Sequence, residues 1–146
     1  MEEPQELSLA KCRELLSAGV VGRVAFVVDG RPHIVPVNYT VVGESVVVRT
    51  TPYSLLGRSG AGTPVAFEVD NLDYSDHKGW SVVAHAVAEH VDDVADLADE
   101  TAFWDPQPWA GGTRLLYLRL PWTELTGRRL GHGWTRDNEV PVRRQV

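Results

Sequence analysis

Two hydrophobic rhythms divide the chain. Near its start Leu9, Cys12, Leu15 and Leu16 recur at the spacing of one helix face. Ser8 stands where an N-cap is needed and Gly19 ends the run, so the pattern predicts a short helix. From Gly22 onward apolar and β-branched residues fall into short runs separated by turn residues, which predicts hairpins and argues against alternating βαβ units. Val24 to Val28 is followed by Asp29-Gly30, a strong hairpin signal. The return strand runs from about His33 to Val42, and Gly43-Glu44 turns it into Ser45 to Thr50.

A fourth strand, Val65 to Val69, and a long fifth, Trp80 to Val91, flank a polar loop from Asn71 to Gly79. Asp92 to Phe103 reads as a short acidic helix with Val94 and Leu97 as its inner face. Two further strands, Leu115 to Leu120 and Glu124 to Leu130, close the pattern, with Pro121 at the corner between them. Six or seven antiparallel strands in about 110 residues, with one leading helix and no fixed repeat, suit a small closed or split barrel; a plain β-sandwich is the alternative. Val46-Val47-Val48 and Leu115-Leu116-Tyr117-Leu118 are apolar on both faces, so the barrel's outer face is expected to be covered, most economically by a second copy of the chain.

Size makes this one domain: 146 residues are enough for a core and too few for two ordinary domains. The core is expected over about residues 8–130, with 131–146 as a C-terminal tail. A formal net charge of −6 repels phosphate backbones, so nucleic acid is not an expected partner. The single cysteine, Cys12, excludes an intrachain disulfide, suits a reducing compartment and reads as a core-facing small hydrophobe. No apolar run reaches the roughly 18 residues of a membrane span, and the acidic start lacks a basic signal-peptide opening, which together point to the cytoplasm.

Familiar catalytic and metal patterns are missing from the sequence. The histidines, His33, His77, His85, His90 and His132, show no ligand spacing, and no metal site is expected. Gly57-Arg58-Ser59-Gly60-Ala61-Gly62 lacks the ending of a phosphate loop and reads as a flexible connection. Asp70, Asp73 and Asp76 read as a solvated acidic loop.

The informative stretch is Val35-Pro36-Val37-Asn38-Tyr39, followed after the next turn by Val48-Arg49-Thr50-Thr51-Pro52-Tyr53-Ser54. A proline inside a strand removes a ladder hydrogen bond, so Pro36 belongs at an edge or bulge. Arg49 offers a forked cation, and Thr50, Thr51 and Ser54 offer hydroxyls, a donor set suited to a phosphomonoester. By spacing alone the same run also reads as an ordinary strand end with a surface arginine.

Gly22-Arg23-Val24-Ala25-Phe26, His33 through Tyr39, Val48-Arg49-Thr50, Val65 through Asp70 and Gly79-Trp80-Ser81-Val82 occur in the order found in the pyridoxamine 5'-phosphate oxidase-like family of FMN-binding split barrels, which this chain resembles over roughly residues 8 to 130. The resemblance implies a mainly β fold, a six-stranded antiparallel split barrel, and a homodimer holding two FMN molecules that each touch both chains. It places Pro36, Val37 and Asn38 along the isoalloxazine edge. Arg49, Thr50, Thr51 and Ser54 would surround the ribityl phosphate, and Trp80 and Ser81 would reach the flavin; Trp80 reads equally as barrel core.

The family commonly carries Lys or Arg directly after the phosphate-segment serine, where this chain has Leu55. Arg58, one helical turn beyond Ser54, is the expected substitute. The implied activity is flavin-dependent oxidoreduction, with hydride drawn from a reduced nicotinamide or a small substrate. A non-catalytic dimeric binding protein is the alternative. Within the superfamily a deazaflavin or haem relative is another, haem requiring an axial histidine, for which His33 is best placed.

Overall fold

A computed structural model describes residues 3–93, 95–98, 116–135 and 139. Its elements are β1 (Gln5–Glu6), α1 (Leu9–Ala18), β2 (Val21–Val28), β3 (Arg31–Val42), β4 (Ser45–Thr50), α2 (Leu55–Ser59), β5 (Pro64–Asp73), β6 (Lys78–Val87), β7 (Glu89–His90), α3 (Ala95–Ala98) and β8 (Leu116–Leu130). The expected architecture, mainly β and antiparallel with a short leading helix, is the one observed.

Local chemistry explains the hairpins. Asp29 and Gly30 both take positive φ, 51° and 75°, as a two-residue turn between twisted strands requires, and Val28 pairs with Arg31 across it. At the β5–β6 turn the Asp73 side chain accepts hydrogen bonds from the backbone N–H groups of Ser75 and Asp76, each at 3.0 Å. Here the strands reach further than their apolar runs suggest: Asp73 still pairs with Lys78, so most of the expected polar loop is hairpin. Its polar positions lie on ladder residues whose outer side faces water.

β8 closes the barrel. Its first half pairs with β4, from Thr50↔Leu116 to Ser45↔Pro121, and its second half pairs with β6, from Ala86↔Trp122 to Gly79↔Leu130. The two strands expected either side of Pro121 are therefore one strand, and Pro121 marks where it exchanges partners, opposite an irregularity between His85 and Ala86. Proline fits there because the ladder is already interrupted. The expected fifth strand, in turn, breaks at Ala88 into β6 and β7, and β7 pairs with β8.

Alternation along β2, β5 and β6 sends Val24, Phe26, Phe67, Val69, Trp80 and Val82 inward, where they meet Val46, Val48 and Leu118 in the main core. α1 caps this core with Cys12, Leu15 and Leu16, and its N-cap is Ser8, whose side chain accepts from the Lys11 N–H. It lies so close to β8 that a Cβ at Gly127 would stand 2.8 Å from Cys12 Sγ. Burial in turn pushes the Cys12 thiol above its ordinary pKa.

A second, smaller cluster joins Val42, Val47 and Tyr117 to Leu97 of α3. Part of the second apolar face of β4 and β8 is thus covered from within the chain. Of the expected acidic helix, Ala95–Ala98 is helical; Val94 and residues 99–103 lie outside the described residues, as does Leu115. Among the described residues no helix is long and apolar enough to cross a membrane.

Candidate functional site

β3 is shared unequally between its neighbours. Residues 31–38 pair with β2, whereas β4 pairs only with Tyr39 to Val42. Beyond Tyr39↔Val48 the two strands part, and this split sets Pro36–Asn38 across from Arg49 and the segment leading to Ser54. Tyr39 donates its backbone N–H to Val20, on the β2 side, so by strand alternation the backbone groups of Asn38 and Pro36 turn the other way, into the split. Pro36 costs no ladder bond there, as the edge expectation requires.

The phosphate-type cluster divides between two faces. Arg49 pairs with Tyr117 and lies over its ring at 5.3 Å, on the outer side of β4. Thr50 is buried, with its hydroxyl 3.1 Å from Ser54 Oγ. Ser54 is the N-cap of α2: its Oγ accepts from Gly57 N at 3.0 Å and donates to Thr51 O at 2.8 Å. Thr51 Oγ1 in turn accepts from Tyr53 N at 3.3 Å. The run Gly57–Ser59, expected as flexible connection, belongs to this helix, because the serine cap supplies the start signal that two glycines obscure. Leu55 packs against the main core, and Arg58 stands on the exposed side of the last turn.

Trp80 and Ser81 lie elsewhere, on β6 beyond β2 and β5. Trp80 is core: it is buried, and its indole N–H reaches the carbonyl of Glu139. Ser81 faces outward, in register with Asp70 on one side and Arg128 on the other. Around this end of the sheet a cleft of about 480 Å³ opens, lined by Leu72, Tyr74, Lys78, Trp80, Ser81 and the two arginines Arg128 and Arg129, among others. That volume is within the range of small-molecule sites. The sequence signal for it was the adjacent Arg128-Arg129 pair in an acidic chain, which strand alternation sends to opposite faces.

One expectation is corrected by charge pairing. Asp70 is not part of a solvated loop; it lies in β5, 2.8 Å from Arg23, which also binds Glu68 at 2.7 Å. Hydrogen bonding to Glu68 raises the Arg23 pKa further above its ordinary value, against the opposing effect of burial. His33, the best-placed axial ligand by sequence, stacks on Phe26 at 5.4 Å on the inner side of the β2–β3 hairpin, away from the face carrying Arg49.

Glu139, assigned to a tail, is buried. Its carboxylate meets Lys11 at 2.6 Å and Arg129 at 3.5 Å, tying the C-terminal part of the chain to α1 and to one wall of the cleft.

The family model for pyridoxamine 5'-phosphate oxidase matches residues 8–129. The chain belongs to that family. Among its relatives is the uncharacterised Mycobacterium tuberculosis protein Rv0080, 39% identical over 101 residues. The match spans 66% of each chain, so just under two thirds of that relative's length is matched. The structure superposes on the FAD-binding protein of Mycobacterium smegmatis with a TM-score of 0.69 at 30% identity, covering 88% of this chain and 99% of that one. A second Mycobacterium smegmatis protein, which binds FAD and haem, shares the fold at 22% identity with a TM-score of 0.65, covering 96% of this chain and 80% of that one. This member of the family thus has the split-barrel fold, with Leu55 directly after Ser54.

Proposed function

We propose that the chain is a flavin-binding oxidoreductase that works as a homodimer, with each flavin held at the split between β3 and β4. The observation that carries this reading is the split itself, which sets the Pro36–Asn38 backbone opposite Arg49 and Thr51. The donor set fits a phosphorylated flavin tail: Arg49 offers a fork of N–H groups, and Thr51 keeps a hydroxyl proton after accepting from Tyr53 N. Thr50 and Ser54 act one step back, holding the turn that positions Thr51. When bound, the flavin supplies the redox chemistry, accepting hydride from a reduced nicotinamide or a small substrate; the protein binds and orients it.

The homodimer accounts for two further features. Val27, Ile34 and Val87 lie exposed on the outer face of the β2, β3 and β6 strands, an apolar surface that a second barrel would cover. Within one chain Ser81 and Arg49 stand on different strands that both border β8, in register with Arg128 and Tyr117, which lie well apart along it. A two-fold axis brings the cleft of one copy to the split of the other, so that each flavin touches both chains.

The test is direct. Purified protein is expected to carry flavin absorbance, to release a flavin on denaturation that mass spectrometry identifies, and to sediment as a dimer. A colourless monomer that takes up neither FMN nor FAD overturns the proposal.

A further inference from the structure

We propose that the cleft beside β6 binds a small aromatic carboxylate, with Arg128 and Ser81 as the partners of its acid group. Resting on the flavin reading, this is the class of the small substrate. The outer face of β5, β6 and β8 is built there in two rows. In one, Leu72 and Leu130 flank Gly79; in the other, Asp70 and Arg128 flank Ser81. Residues directly opposite on neighbouring strands share a face, so each row is a set of adjacent side chains. The rows are two residues apart, about 7 Å along the strands.

The first row is an apolar floor. Leu72 lies so close over Gly79 that a Cβ there would stand 2.9 Å from Leu72 Cδ2. Leu72, Leu130 and Tyr74 are 53%, 37% and 83% exposed, and all three line the same cleft of about 480 Å³. The second row holds a cation that the fold does not neutralise. Asp70 is engaged by Arg23 at 2.8 Å, and Asp73, the acid in the cleft lining, accepts from the backbone N–H groups of Ser75 and Asp76. Arg129 is held by Glu139, and Lys78 Nζ donates to Gly133 O at 3.3 Å. Arg128 is exposed, and among the described residues its side chain has no hydrogen bond or ion pair. In a chain of net charge −6 this leaves a local positive site over an apolar floor. A forked guanidinium beside a hydroxyl takes both oxygens of a carboxylate, while the leucines and the Tyr74 ring take a flat apolar body. The separation of the rows suits a fused bicyclic acid better than a short aliphatic one.

The experiment is calorimetric titration of the full-length protein with 2-naphthoate and with its uncharged analogue 2-naphthamide, before and after loading with flavin. The acid is expected to bind at least tenfold more tightly than the amide. R128Q, at an exposed position and checked for an unchanged circular dichroism spectrum, is expected to weaken the acid roughly tenfold, the worth of one exposed charge-assisted hydrogen bond, and the amide less than twofold. L72A is expected to weaken both probes alike. Equal binding of acid and amide, or R128Q that leaves the acid unchanged, overturns the carboxylate site. If flavin loading expels naphthoate, the flavin ring itself fills the cleft, which overturns the substrate assignment and leaves the flavin reading intact. Protein that takes up no flavin, yet binds naphthoate through Arg128, ends the flavin reading and supports the carboxylate site.

Discussion

Where Arg129 of β8 lies beside Trp80 of β6, polar groups are consumed by one another: Glu139 is gripped by Lys11 and Arg129, and the Trp80 indole donates to the Glu139 backbone. Where β3 parts from β4, the arrangement differs. Arg49 lies across an aromatic ring and Arg58 stands on an exposed helix surface. The first region has the chemistry of a structural lock, in which charges are neutralised inside the fold. The second keeps cations at a surface beside an interrupted sheet, where the proposed function has them meet an anion. The contrast teaches that position along a β-ladder, more than residue type, separates an arginine held by carboxylates, such as Arg23, from one lying over an aromatic ring at an interrupted edge, such as Arg49.

That contrast can be broken most forcefully from within the core that both regions share. Phe67 is fully buried and meets the Tyr39 ring edge-on at 4.7 Å. Phe67→Ala is expected to cost about 3–5 kcal/mol in chemical denaturation, because the cavity it leaves lies between close-packed strands. Next in size is Arg49→Ala. It is expected to weaken flavin binding by roughly ten- to a hundredfold, with a change in unfolding free energy below about 0.5 kcal/mol, measured by titration and denaturation side by side. A large loss of stability in Arg49→Ala would put it in the structural class with Arg23.

Glu139→Gln removes the charge and keeps the backbone carbonyl that binds Trp80. Its partners are partly exposed, so the expected loss is about 1–2 kcal/mol, read by urea unfolding followed through tryptophan fluorescence. An unchanged midpoint would mean that the lock contributes nothing. Smallest is Ser54→Ala, which removes the cap of α2 and is expected to cost about 1 kcal/mol, read as a shift in the denaturation midpoint.

The barrel was largely legible from the sequence because its signals are local. Asp29-Gly30 announces a turn, Ser8 a helix start, and the alternation of Val24, Phe26, Phe67 and Val69 a buried face. Misreadings arose where a local signal had a non-local cause. Pro121 looked like a corner because nothing in the sequence reveals that β8 changes partners there, and the Gly57 and Gly60 pair concealed a helix that Ser54 caps. Leu97 signalled an inner face, and which surface it would cover depended on where the chain returned. Within the candidate site the residue types Arg49, Thr50, Thr51 and Ser54 were visible, but that Arg49 lies over Tyr117 while Thr50 turns to Ser54 was not.

What the sequence determined alone was the strand-rich, antiparallel character, the first hairpins, the leading helix and the family, since these follow from side-chain periodicity and backbone preferences acting over a few residues. Tertiary structure decided which strands pair on which edge, and therefore that β3 and β4 part beside Arg49, that Trp80 is core, and that Glu139 returns to hold Lys11. Those outcomes depend on closing the barrel. Closure is set by the register of residues far apart in the chain, and no local pattern encodes it.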